Sequence, residues 1–174
     1  MQSEIYYYGN GESFAVKFYY SQLMCDIWMN GYVFLLINNY CIGNKDTLIS
    51  LRDVMYSFEH ILSEKGHHYH SYFSSCTTEE LIVILHNSLF GNTTDHKNNE
   101  KMYAEEWGRL IIHLPVEGVL YLIEGDNRDR LVAVLGGSLV KEVYLPSGAF
   151  YTTINEAYLE LNKTYLKLLS AHKD

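Results

Sequence analysis

The sequence is poor in cysteine, proline and positive charge, and each shortage narrows what the chain can be. Cys25, Cys41 and Cys76 are odd in number and lack the CxxC spacing of a zinc or redox site. They read as reduced, mostly buried thiols of a cytosolic protein rather than a disulfide framework. The two prolines, Pro115 and Pro146, each stand where an apolar run ends. No apolar run approaches the roughly 18 residues a membrane span requires. No charged leader precedes a long apolar stretch at the N-terminus, so the expectation is a soluble, cytoplasmic protein with no membrane contact. Thirteen Lys and Arg face 21 Asp and Glu, for a net charge of −8 and a pI near 5.4. The acidic excess lies within residues 1–130. Such a balance disfavours nucleic acid, whose phosphates need basic side chains. It leaves open a basic protein partner drawn in by long-range attraction.

Catalytic signatures are scarce as well. There is no G-x-S-x-G nucleophile elbow and no HExxH. Gly136-Gly137 and Gly9-Asn10-Gly11 lack the strand–loop–helix setting of a phosphate loop. Cys76 and His86 have no spacing that would pair them. The sequence therefore points to no enzyme and no cofactor.

Aromatic residues are what the chain has in quantity, with 16 tyrosines among 174 residues. Tyrosine suits sheet faces and contact surfaces, because it buries area at low entropy cost and keeps a polar tip. Residues 14–38 organise the rest. Phe14, Val16, Phe18 and Tyr20 alternate with Ala15, Lys17 and Tyr19, the period of a half-buried strand. Tyr32 to Ile37 is apolar on both faces, as a central strand would be. Residues 4–8 read as an edge strand or loop, and Tyr40 to Ile42 as a short return strand. Ser50 with Asp53 opens a helix that ends near Glu64, with Leu51, Val54, Met55, Phe58, Ile61 and Leu62 recurring at helical spacing. Residues 66–76 read as a loop. Thr77 or Thr78 caps a second helix running toward Phe90, expected to be the more deeply buried of the two. Apolar runs at 109–114, 119–123, 131–135 and 139–145, joined by short turns, predict an antiparallel meander. Thr153 with Glu156 forms a capping box for a closing amphipathic helix. The sum is an α+β fold, a mainly antiparallel sheet covered by two or three helices, in a single domain over residues 1–174.

Three groups of residues invite a functional reading. His67, His68 and His70 cluster, and a small metal-dependent hydrolase would need ligands of this type. No further ligand is identifiable by spacing, so they read as exposed loop histidines and no metal is assigned. Glu124 and Asp126 flank a turn beside Arg128 and Arg130, a setting for surface ion pairs. Glu105, Glu106 and Trp107 form an acidic, aromatic spot. A further alternative is a small-ligand-binding module with a pocket lined by tyrosines.

The order of several short motifs carries a resemblance. Phe14-Ala15-Val16-Lys17-Phe18, Trp28-x-x-Gly31-x-Val33-Phe34, Ile37-Asn38 and a helix opening at Leu48 to Leu51 come first. Arg109-Leu110, Glu124, Arg130-Leu131-Val132 and Glu142-x-x-Leu145-Pro146-x-Gly148 follow. This layout resembles a family of bacterial immunity proteins encoded beside polymorphic or contact-dependent inhibition toxins. It covers most of the chain except residues 64–100. The resemblance implies a cytoplasmic protein that binds one cognate toxin C-terminal domain, often a nuclease such as an RNase with a basic groove. On that reading the polar loops and acidic spots are the interface: Asp95, Glu105, Glu106, Trp107, Glu117, His67 and Tyr69.

Overall fold

A computed structural model describes residues 4–21, 27–86, 107–136 and 139–171. The first sheet has the order β1 (Ile5–Asn10), β2 (Phe14–Tyr20), β3 (Asn30–Ile37) and β4 (Tyr40–Ile42), all antiparallel. The two-residue β5 (Ile49–Ser50) pairs with the start of β3. Alternation in β2 has its expected effect: Phe14, Val16 and Phe18 are buried on the core side, where Phe18 faces Val33 and Val16 faces Leu35. Ala15, on the other face, is also buried. Cys41 is exposed, against the expectation of buried thiols.

α1 (Leu51–Ser63) forms as its sequence dictates. The Ser50 side chain accepts from the Asp53 amide, and Leu51, Val54, Met55, Phe58 and Ile61 are buried. Each such side chain contributes about 1.5–3 kcal/mol when fully removed from water, so the helix is held by packing far more than by propensity.

The meander forms a second antiparallel sheet: β6 (Ile111–Ile112), β7 (Val119–Ile123), β8 (Arg128–Leu135) and β9 (Leu139–Pro146). Of the apolar run 109–114, only those two residues pair as strand. The closing helix α4 (Ala149–Ala171) starts one turn earlier than the Thr153 capping box predicts. Thr153 lies inside the helix and is buried. It packs where the β1–β2 hairpin comes down on α4, at Gly9. That glycine has φ +92°, and a Cβ there would meet the Phe14 carbonyl at 2.5 Å and Thr153 Cγ2 at 2.8 Å.

One core cluster joins both sheets, α1 and α4, with Phe18 and Leu35 from the first sheet and Leu122 and Leu131 from the second. The opposite face of the second sheet carries Tyr121, Ile123, Val132 and Val134. Residues expected to form a loop and a deeply buried helix cover it. Residues 66–76 contain a short helix, α2 (Ser71–Ser75), whose Phe73 is fully buried. α3 (Thr78–Leu81) is capped by Thr77 in a reciprocal pair with Glu80 and continues as a π-helical turn over Ile82–His86. It is less buried than α1, with Leu81 and Leu85 inside and Val83 60% exposed. Its expected extension to Phe90 lies outside the described residues.

Candidate functional site

Two buried polar clusters tie residues 64–80 to the second sheet. The first centres on Glu124, just past β7. Its Oε1 accepts from the Gly66 amide at 2.9 Å and its Oε2 from the His68 amide at 2.7 Å. The Glu124 amide donates back to the His68 carbonyl at 3.0 Å. His68 is fully buried rather than an exposed loop histidine. Its Nδ1 lies 2.8 Å from the Tyr151 hydroxyl of α4, while Nε2 has no hydrogen bond and sits 3.8 Å from Glu64. Burial holds the imidazole below its usual pKa, against the pull of Glu124 and Glu64. Burial, then Glu124, pushes the Tyr151 hydroxyl up. Next to this cluster, buried Asp129 accepts from the Gly125 amide at 3.3 Å and the Gly148 amide at 2.8 Å. It places a carboxyl group immediately ahead of α4, where the helix dipole favours negative charge.

The second cluster centres on Arg130, which is 3% exposed. Its Nε donates to Glu142 on β9, and its Nη1 donates to the carbonyls of Phe73 at 3.1 Å and Cys76 at 2.8 Å. Nη2 donates to Thr78 Oγ1 at 3.1 Å, and that hydroxyl donates to Glu142. Burial raises the Glu142 carboxyl, but the Thr78 and Arg130 hydrogen bonds outweigh it and leave the group low. The surface ion pairs expected around Glu124, Asp126, Arg128 and Arg130 do not form as such: Glu124 holds backbone and Arg130 is interior. Sequence reasoning missed both clusters, although an arginine leading the apolar run Arg130–Leu135 was a signal.

The clusters fix a strip that turns His67 and Tyr69 outward, both exposed, beside Tyr72. Tyr69 also bridges in parallel to Glu124. Trp107 is half-buried and packs edge-on against Phe73 at 5.4 Å, so it supports the second core more than it offers a contact. Glu117 is exposed elsewhere, lining an open groove of about 500 Å³ with Asp46, Lys45 and Phe34. Asp95, Glu105 and Glu106 lie outside the described residues.

The histidines do not converge. His67 is exposed, His68 engages Tyr151, and the His70 ring lies tilted against Phe73 at 4.7 Å. Among the described residues no three His, Cys, Asp or Glu side chains gather as metal ligands would. The grooves at Asp46–Glu117, at Val33–Pro115, at Thr78–Val140 and at the head of α4 carry no tyrosine in their walls.

The groove at the head of α4 was not foreseen. It measures about 460 Å³ and lies between the β1–β2 hairpin, the end of β9 and α4, with Phe14, Leu145, Pro146, Ala149 and Glu156 among its walls. Beyond it, Tyr6 on β1 donates to Glu4 at 3.0 Å. Burial lifts the Tyr6 hydroxyl to about 12, and Glu4 and Glu160 add to the rise.

The family model for immunity protein 42 matches residues 5–160. The chain belongs to the immunity protein 42 family. The match runs through residues 64–100, which the motif order alone left uncovered. As an immunity protein of a toxin system, the chain has a cognate toxin as its partner. The fold is shared with a solved structure, CdiI from Burkholderia dolosa AUO158. The TM-score is 0.68 at 14% identity, over 89% of this chain and 99% of that one. No curated protein matches. No described helix of this immunity protein is long and apolar enough to cross a membrane.

Proposed function

We propose that this immunity protein neutralises a toxin nuclease, of RNase type, from a contact-dependent inhibition system, by laying an acidic surface over the toxin's basic substrate groove. The observation that carries the reading is the net charge of −8 on a chain of this family. A nuclease groove must be basic to hold phosphates. An acidic protein competes for the same ground and is steered to it at a rate that depends on salt. The chain performs no reaction of its own, touches neither nucleic acid nor membrane, and acts in the cytoplasm as a single immunity-type domain. The core shared by the two sheets supports the last point.

Co-expression with the toxin C-terminal domain encoded directly upstream tests this. Growth should be restored and cellular RNA preserved. Continued RNA cleavage and growth arrest, with both proteins present in soluble form, would overturn it.

A further inference from the structure

We propose that the groove at the head of α4 is where the toxin docks, and that its occupant is a lysine or arginine side chain projecting from the toxin's basic surface. The inference rests on the neutralisation reading and adds the place of contact. The floor is apolar, formed by Pro146 and Ala149 over the largely buried Phe14 and Leu145, with Glu156 in the wall. Lysine and arginine carry an apolar stem and a charged tip. The stem matches the floor and the tip matches the carboxylate. A cavity of about 460 Å³ has room for such a side chain and the backbone that carries it.

The charged side chain in the groove's walls is Glu156, and the α4 side of the groove is acidic. Glu160 follows Glu156 by one helical turn on α4, and both act on the Tyr8 hydroxyl of β1 together with Glu4. Glu12 is exposed in the hairpin turn that borders the groove. Against Glu156, Glu160 and Glu12 stand Lys163, already bonded to Glu160 at 3.3 Å, Lys65, held 5.7 Å over the Tyr151 ring, and Arg128, which pairs across from Pro146 and packs 4.3 Å over the Tyr144 ring, so each cation already has a partner. The groove at Asp46 and Glu117 is the competing site, and its charges nearly cancel. Lys45 shares its wall, and Lys17 lies 5.8 Å over the ring of Phe34 on the same wall. A second feature continues the head-of-α4 surface. β1 is an edge strand, with no strand on its outer side among the described residues. Its free backbone groups can pair with an extended segment of a partner.

The test is affinity for the purified toxin domain encoded directly upstream, measured for four variants. Glu156→Lys and Glu160→Lys reverse exposed or half-exposed charges, and Thr152→Trp fills the groove from an exposed position on its wall. Glu117→Lys at the competing groove is the fourth. Circular dichroism checks that each is folded. Reversal of a charge that meets a toxin cation should raise Kd on the order of 100-fold. Thr152→Trp should weaken binding comparably, while Glu117→Lys should change it less than about threefold. Toxin binding that survives all three groove variants would overturn this site and leave the neutralisation reading standing. A wild-type chain that fails to bind would remove both. Concentration-dependent dimerisation abolished by Thr152→Trp would assign the groove to a second copy instead, again overturning the proposal.

Discussion

Glu124 holds His68 from both directions: its carboxylate takes the His68 amide at 2.7 Å while its own amide binds the His68 carbonyl at 3.0 Å. The same carboxylate also takes the Gly66 amide. Hydrogen bonds to a charged group are worth about 1.5–3 kcal/mol each, and losing the acceptor strands the part-buried His68 amide while the exposed Gly66 amide can turn to water. Glu124→Ala should therefore destabilise the fold by about 3 kcal/mol in urea unfolding. Amide exchange over residues 66–76 should speed up more than over α1. Equal acceleration in both regions would show that Glu124 is not a local latch.

The Arg130 cluster makes a second prediction. Arg130→Ala leaves Glu142 without its cation, bonded still by the Thr78 hydroxyl, and strips the carbonyls of Phe73 and Cys76 of their Arg130 donor. Breaking a buried pair on one side costs roughly 3–5 kcal/mol, and the partial exposure of Glu142 places the expected loss near the lower figure. Arg130→Met with Glu142→Leu should recover part of that loss, since removing both partners strands fewer charges. A double variant no more stable than Arg130→Ala would contradict the account.

Acid should weaken the fold through His68. Its pKa lies below the ordinary 6.5 because it is buried. The unfolded chain then takes up a proton near pH 6.5, while the folded chain resists until lower pH. This share of stability is whole above about pH 6.5 and is lost as pH falls through the folded value. Glu142, held below its ordinary 4.5, adds a loss in the same direction at lower pH. Asp129, pushed up by burial, works the opposite way, its share fading as pH rises. His68→Gln can still meet the Tyr151 hydroxyl but cannot titrate. Urea midpoints from about pH 7.5 to 5.5 should fall for the wild type and stay flatter for the variant. Parallel slopes would show that another group carries the effect.

Gly9 sets how the β1–β2 hairpin meets α4. A side chain there is strained at φ +92° and collides with backbone and with Thr153. Gly9→Ala should cost about 1–3 kcal/mol. It should also disturb the adjoining groove, seen as shifts in the amide resonances of Asn10, Ser13 and Thr152. A neutral variant with unmoved resonances would contradict the packing described.

Much of the fold was legible where one short-range rule decided the outcome. The Ser50 cap and the apolar positions of α1 give the helix directly, and alternation gives β2. Turns between apolar runs give the meander. The closing helix was misplaced by a turn because Thr153–Glu156 imitates a cap, while the Pro146-Ser147-Gly148 corner had already started the helix at Ala149. The polar interior was not legible. His68 sits among polar neighbours in sequence, and the groups that bury it, Glu124 and Tyr151, are 56 and 83 residues away. A local pattern carries no trace of such partners. The groove at the head of α4 escaped for the same reason, since two stretches far apart in sequence, residues 9–14 and 145–156, build it.

The most direct measurement is calorimetric titration of this chain with the toxin domain encoded upstream, at low and at high salt. The account predicts a one-to-one complex that weakens tenfold or more as salt screens the acidic surface. No heat of binding at low salt, or an affinity indifferent to salt, would contradict it.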